Sequence, residues 1–394
     1  MRILLVTPSY FPIVGGSEVL TRILATKLTN IGVKTDIMTF NMNRKWEPIW
    51  KAETTKEGSI DLIKIPALNP FGSANPLFSA LRMNVIPKPD FVKVFNDYQI
   101  IHFVGEADLG LPLLSRLVKK PKLLQCVGIF KHGGIYKYYK YQRRHLGIIF
   151  QKFFSNLADI YLASSTEEKE LLSDLGVKKD RILVLPLGVD LEVFVPAEEK
   201  RIENLILFVG RIDRIKGLHV LMEALPYINI PVQLAIIGTR WDETYVKEIE
   251  KMSRTVTQKG KHKVMFLGEM DHENLVPWYQ KASVLVCPYL YETHSNVVRE
   301  AIACGTPVVS TGTHMSDTGS DGIVLTSRNP EKLAETVEDL LENKETRQRY
   351  GKEGRRFAET SLSWDSIVKT LATVYEKTLN DRSVFSRNTF NQNM

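Results

Sequence analysis

The chain has 394 residues, 44% of them hydrophobic, which is more apolar material than one core usually organises, so two domains are expected. No stretch approaches the roughly 18 uninterrupted apolar residues of a membrane span, and the opening run RILLVTPSYFP is too brief for a signal peptide and lacks its cleavage site. Cys126, Cys287 and Cys304 are odd in number and widely spaced, which excludes a disulfide framework and paired zinc spacing and reads as small core residues in a reducing compartment.

The net charge of +7 is unevenly placed: residues 1–195 carry 26 Lys and Arg against 18 Asp and Glu, and the remainder 26 against 27. Residues 109–158 contain no acid at all. A local field of this sign favours an acidic partner or an anionic surface.

The first half alternates apolar runs with helical patterns. RILLVTP, KTDIMTF, YQIIHFVG, KLLQCVGIF and DIYLASS read as strands, with helices through SEVLTRILATKLTNIG and TEEKELLSDLG. Runs that are apolar throughout and separated by helices indicate a parallel sheet covered on both faces. The segment PLGVDLEVFVPAEEKRIEN, residues 186–204, reads as a linker. The second half repeats the grammar with strands NLILFVGR, PVQLAIIGT, HKVMFLGEM, SVLVCPY, TPVVST and GIVLTS, helices between them, and a closing helix WDSIVKTLATVYEKTL. The expected fold is α/β, two doubly wound Rossmann-like domains facing each other, with ligands in the cleft at the carboxyl ends of their strands. The expected boundaries are 1–190, 200–362, a helix at 363–380 and a polar, disordered tail at 381–394.

Three features point to a phosphorylated ligand. In LFVGRIDRIKG a strand ends at Gly210 and is followed by Arg211 and Lys216, a guanidinium fork and a compact ammonium that together suit a diphosphate. The plainer reading makes them two solvated loop cations. In PSYFPIVGGSEVL, Gly15 and Gly16 precede a helix and let backbone amides approach a phosphate or sugar. The dinucleotide G-x-G-x-x-G spacing is missing at both places.

The third feature is ETHSNVVRE, residues 292–300. Ser295 or Asn296 is a helix cap, so Glu292 stays in the loop while Glu300 lies one turn inside the helix. The first amides of that helix, around His294, Ser295, Asn296 and Val297, sit at the positive end of the dipole and suit a phosphate. Two carboxylates flanking it suit a ligand that is sugar, diphosphate, ribose in sequence, a nucleotide sugar. The plainer reading makes Glu292 a loop acid and Glu300 an exposed helix residue.

With PSYFPIVGGSE, LFVGRIDRIKG, VMFLGEM and CPYLYETHSNVVREAIACGTPVVST in one order along the chain, the sequence resembles the retaining glycosyltransferases of family 4, of GT-B architecture in the glycogen synthase and mannosyltransferase superfamily. The resemblance implies a C-terminal domain that binds a UDP- or GDP-sugar and an N-terminal domain that binds the acceptor. It implies that Glu300 holds the ribose, Glu292 contacts the transferred sugar, Arg211 and Lys216 bind the diphosphate, and Met270 lies beside the base. Gly210, Thr293, His294, Ser295, Asn296 and Val297 complete the expected donor site, with Glu292, Arg211 and Lys216 as the catalytic set. It also implies that the helix at 363–380 crosses back to the first domain, and that the leaving phosphate accepts the acceptor's proton in a front-face attack. No D-x-D motif occurs, so no metal and no cofactor is expected.

The sequence departs from the family pattern in places. Val127-Gly128 stands where a His-Gly pair is usual, and His132 is the candidate replacement, against the plainer reading of a solvated loop histidine. Thr293 replaces a glycine after the first glutamate. The stretch FKHGGIYKYYKYQRRHLGIIFQKFF interleaves Lys137, Lys140, Arg143 and Arg144 with tyrosines and phenylalanines, a composition suited to anionic lipid headgroups. The expectation is a cytoplasmic, peripherally membrane-associated enzyme that moves a sugar to an acceptor sugar or lipid-linked acceptor, with no nucleic-acid partner. The alternatives are an epimerase-type GT-B enzyme and a basic, lipid-surface-binding protein that has lost transfer.

Overall fold

The computed structural model describes residues 1–11, 16–41, 49, 51–68, 86–87, 89–105, 118–126, 155–197, 201–258, 260–290, 295–312 and 322–380. The chain divides into two compact units, residues 1–185 with 367–394, and residues 186–366.

The first unit contains β1 (Arg2–Thr7), α1 (Gly16–Asn30), β2 (Lys34–Phe40), β3 (Glu53–Glu57), β4 (Ile60–Ile65), the two-residue strands β5 (Ala67–Leu68) and β6 (Ile86–Pro87), β7 (Ile100–Gly105), β8 (Lys122–Cys126), β9 (Ile160–Ala163), α2 (Thr166–Asp174) and β10 (Ile182–Val184). Eight strands form one sheet in the order β10-β9-β8-β7-β1-β2-β4-β3. Every pairing is parallel except β3 with β4. All six residues of β7 are buried, which is why these strands read as unbroken apolar runs and not as alternating ones. Helix α2 starts on a reciprocal cap: Ser165 Oγ accepts from Glu168 N at 3.2 Å, and Glu168 Oε2 accepts from Ser164 N at 2.7 Å.

The short pair β5 and β6 lies outside the sequence expectation, and so do two larger features. The antiparallel hairpin of β3 and β4 turns through Gly58 at φ +63°. Its outer strand, ETTKE, is a largely exposed edge, so it lacks the apolar signature of its neighbours. The other is a long helix near the C-terminus, described below.

The second unit contains β11 (Leu205–Val209), α3 (Leu218–Ala224), β12 (Gln233–Ile237), α4 (Glu243–Gln258), β13 (Lys263–Gly268), α5 (His272–Lys281), β14 (Val284–Cys287), α6 (Asn296–Ala303), β15 (Val308–Ser310), β16 (Ile323–Leu325), α7 (Pro330–Glu342) and α8 (Lys344–Ser361). Its six strands are all parallel, in the order β13-β12-β11-β14-β15-β16. The order reverses between β11 and β14, the position at which doubly wound sheets hold ligands beyond their carboxyl ends. Cys287 and Cys304 are buried in this unit's core.

Helix α8 escapes an apolar-period reading because its buried face is small, not greasy: Gly351, Gly354 and Ala358. A Cβ on Gly351 would lie 2.4 Å from the Gly305 carbonyl oxygen, and one on Gly322 would lie 2.5 Å from Gly354 Cα. Close backbone approach replaces side-chain burial here. Helix α9 (Trp364–Asn380) follows, and from Ile367 onward it is counted with the first unit. There the Tyr375 hydroxyl meets His102 Nδ1 of β7 at 2.7 Å, and burial pulls the His102 pKa down to about 3, so the ring stays neutral.

Candidate functional site

The carboxyl ends of β11 and β14 carry the residues expected to bind phosphate. Strand β11 ends at Gly210, φ +148°, whose amide donates to Ile237 O at 3.0 Å. Gly238, at the end of β12, packs on it so closely that a Cβ would stand 1.8 Å from the Gly210 carbonyl oxygen. Gly238→Ala is therefore expected to cost on the order of 3 kcal/mol in a urea melt. Gly260→Ala, at a left-handed φ of +72° but with open space around it, is expected to cost only about 1 kcal/mol.

Past Gly210 the loop is organised by Asp213. Its Oδ1 accepts the Lys216 amide at 3.0 Å, capping the short turn Arg214–Lys216, and its Oδ2 lies 3.1 Å from Arg211 Nη2. One buried carboxylate thus orients both cation-bearing residues. The Arg211 guanidinium stacks on Trp241, 4.7 Å from the ring centroid, and the Lys216 ammonium sits 4.7 Å over the Tyr289 ring. Gly217, φ +69°, closes the turn against Pro288, whose oxygen would be 1.9 Å from any Cβ, and Leu290 N donates to Ile215 O at 2.9 Å.

Tyr289 joins this loop to the helix start. It is 1% exposed, and its hydroxyl shares a hydrogen bond of 3.0 Å with Ser295 Oγ. Ser295 is the cap of α6, accepting from Val298 N at 3.3 Å. The Lys216 charge and the positive end of the α6 dipole are therefore brought onto one tyrosine ring. The Tyr289 carbonyl accepts from Thr311 Oγ1 at 2.9 Å and Arg328 Nε at 3.2 Å, and Arg328 Nη2 also donates to Leu290 O at 2.6 Å. The α-helical ladder supplies no acceptor for the amides of Asn296 and Val297, the first residues of α6.

Glu300 lies one turn into α6, as expected, but the exposed-residue reading is corrected: it is 5% exposed. Its Oε2 accepts from the Tyr279 hydroxyl at 2.7 Å, and its Oε1 is 3.3 Å from His272 Nδ1. Glu300 raises the His272 pKa, and burial with Glu300 raises that of Tyr279 well above the phenol range. Met270 follows β13 and is half-buried against the core that holds Tyr279 and Ile302. It also lines an open depression with Leu267, Glu269, Asp271, Asn274, Pro277 and Trp278.

Arg211, Gly210, Lys216, Ser295 and Glu300 are thus gathered in one unit. Gly16 opens α1 in the other. Gly15, Glu292, Thr293 and His294 lie outside the described residues, as do Val127, Gly128, His132, Lys137, Lys140, Arg143 and Arg144. Sequence reasoning missed Asp213, Tyr289, Arg328, Tyr279 and His272. The signal was present for Asp213 alone, as an acid three residues before Lys216 in a capping position.

The topology of the two sheets is that of GT-B glycosyltransferases. The profile "Glycosyltransferase Family 4" matches residues 14–193 and "Glycosyl transferases group 1" matches residues 192–357, and the chain belongs to glycosyltransferase family 4. Spore coat protein SA of Bacillus subtilis is 31% identical over 56% of this chain and 66% of its own length. O-antigen chain mannosyltransferase C of Escherichia coli is 25% identical over 97% of this chain and 100% of its own. The alignments with the first curated relatives span 56–66% of those relatives. Among solved structures, sucrose-phosphate synthase from Thermosynechococcus elongatus superposes with a TM-score of 0.70 at 21% identity, covering 95% of this chain and 98% of that one.

Proposed function

We propose that the protein transfers a sugar from a UDP- or GDP-sugar to an acceptor hydroxyl with retention of anomeric configuration. The observation that carries this reading is the junction at Tyr289, where the Lys216 ammonium and the capped start of α6 meet, with Arg211 tied to the Lys216 loop through Asp213. Breaking the bond between the sugar's anomeric carbon and its phosphate oxygen leaves negative charge on the diphosphate. Fixed cations and helix amides stabilise that charge more in the transition state than in the ground state. The acceptor hydroxyl attacks from the same face and gives its proton to the leaving phosphate oxygen, so no strong protein base is required. On this reading Glu300 binds the ribose and Glu292 the transferred sugar.

Incubation with a panel of nucleotide sugars, read by NMR at the anomeric proton of the product, tests it. The expected result is transfer or slow hydrolysis of one donor, with the anomer kept, and loss of it in Glu300→Ala. An inverted product overturns the retaining mechanism, and activity unchanged by Glu300→Ala overturns the site.

We further propose a lipid-linked acceptor, supported by the acid-free, aromatic-rich stretch at 109–158. Among the described residues no helix is long and apolar enough to cross a membrane, so association would be with the surface. Flotation with phosphatidylglycerol vesicles is expected to carry the protein at low salt and release it at high salt, while phosphatidylcholine vesicles leave it behind. Absence of binding to either sinks the lipid proposal.

His272 gives this site a pH dependence. Its ring is 69% exposed and faces Glu300, with Asp271 and the Phe194 ring also beside it. Because its pKa is raised in the folded state, protonated His272 adds a small stabilisation that is present below the ordinary histidine range. That stabilisation disappears as pH rises through the raised value. Donor binding has the opposite sign, since the protonated ring competes for Glu300. Donor affinity is expected to climb with pH across that range, and His272→Ala to flatten the profile.

A further inference from the structure

The Glu300 carboxylate is held in place by its own protein, and its two holders differ in kind. Tyr279 on α5 is wholly buried, its ring edge-on to Phe194 at 6.1 Å, and its hydroxyl is 2.7 Å from Glu300 Oε2. Its backbone is fixed as well: the Tyr279 carbonyl accepts from Arg201 Nη1 at 3.1 Å and from Thr306 Oγ1 at 2.5 Å. His272, at the other oxygen, is mostly exposed and 3.3 Å away, a longer and looser contact.

An ionised carboxylate accepts at about four lone-pair sites, and free rotation about its last bond would leave the direction of each undefined. A donor fixed at one oxygen removes that freedom. Burial beside Glu300 keeps the Tyr279 phenol protonated at all working pH values, so it always donates.

We propose that Tyr279 is a positioning residue that fixes the plane of the Glu300 carboxylate, so that Oε1 faces a vicinal diol, the 2′,3′-diol of a nucleotide ribose. His272 is the occupant the diol displaces. The inference rests on the proposed reading that Glu300 binds ribose, and nothing in it requires Tyr279 to touch the ligand. Tyr279 on α5 and Glu300 on α6 lie 21 residues apart, and the geometry alone pairs them.

The test is calorimetric binding of UDP and GDP, each against its 2′,3′-dideoxy counterpart, to wild type, Tyr279→Phe, Tyr279→His and Glu300→Ala. Wild type is expected to prefer the diol form of one base by about tenfold or more, the scale of a hydrogen bond to a charged group. Tyr279→Phe is expected to lose most of that preference while its affinity for the dideoxy form stays within about twofold. Tyr279→His, which restores a donor, is expected to recover part of it, and it also serves as the second variant should Tyr279→Phe fold poorly. A merely structural role would weaken diol and dideoxy forms alike, and that result overturns the proposal. So does a preference kept in full by Tyr279→Phe while Glu300→Ala abolishes it. No preference in wild type, or one that survives Glu300→Ala, overturns the ribose reading itself.

Discussion

Arg201→Ala is expected to lower folding stability by about 3–5 kcal/mol, the upper range for single substitutions, because it breaks a whole hydrogen-bond network at once. The Arg201 guanidinium ties together the ends of two helices. Nη1 donates to the carbonyls of Tyr279, Gln280 and Ala282 and to Thr306 Oγ1, at 2.7–3.1 Å, and Nη2 donates to Cys304 O at 3.1 Å and Gly305 O at 2.7 Å. These acceptors lie at the carboxyl ends of α5 and α6, where unsatisfied carbonyls concentrate the negative ends of two dipoles. Burial pulls the Arg201 pKa down to about 10, which still leaves it charged at neutral pH. Removing it orphans several buried carbonyls at once. Arg201→Lys keeps the charge but has three donors instead of five in a planar fork, and is expected to recover less than half of the loss. Urea denaturation of the three proteins, with m unchanged, gives the comparison. Because the helices joined here carry Tyr279 and Glu300, the alanine variant is also expected to bind nucleotide more weakly.

Lys216→Ala is expected to lower sugar transfer by roughly 10²–10³-fold, the usual consequence of deleting one group that stabilises transition-state charge. The loss is expected mainly in kcat, because charge on the diphosphate grows as the glycosidic bond breaks. The fold should tolerate the change: the side chain gives up a stack on Tyr289, worth about 1 kcal/mol. Arg211→Ala is expected to be the milder of the two, since that guanidinium is 45% exposed and divided between Asp213 and Trp241. Steady-state kinetics on the donor identified by screening, paired with thermal melts, separates lost transfer from lost fold. Equal losses in kcat and stability for Lys216→Ala would contradict the assignment.

The alternating grammar was legible because parallel strands buried on both faces, such as Leu205–Val209 and Ile100–Gly105, must be apolar along their whole length. The β3 edge strand and helix α8 were not legible. An exposed edge has no apolar run to read, and a helix packed through Gly351 and Gly354 buries backbone, not side chains.

The site divides along the same line. Arg211, Lys216, Ser295 and Glu300 stand next to glycines, strand ends and a helix cap, each of which leaves a local signature. Tyr279, Tyr289 and Arg201 matter through partners distant in sequence: Arg201 and Thr306 are 105 residues apart. Arg201 in particular sits in the charge cluster PAEEKRIEN and reads there as linker surface. Only the closing of β11 beside β14 and of α5 against α6 reveals what these three side chains hold.

The most direct measurement is the thermal stability of the full chain against a panel of nucleotide sugars, run in parallel on wild type, Lys216→Ala and Glu300→Ala. A ligand bound only by the folded protein at a hundred times its dissociation constant adds about 2.7 kcal/mol of stability. The account predicts that one UDP- or GDP-sugar raises the midpoint of wild type by several degrees and leaves both variants nearly unmoved. A wild type that no nucleotide sugar stabilises, or variants stabilised as fully as wild type, would contradict it.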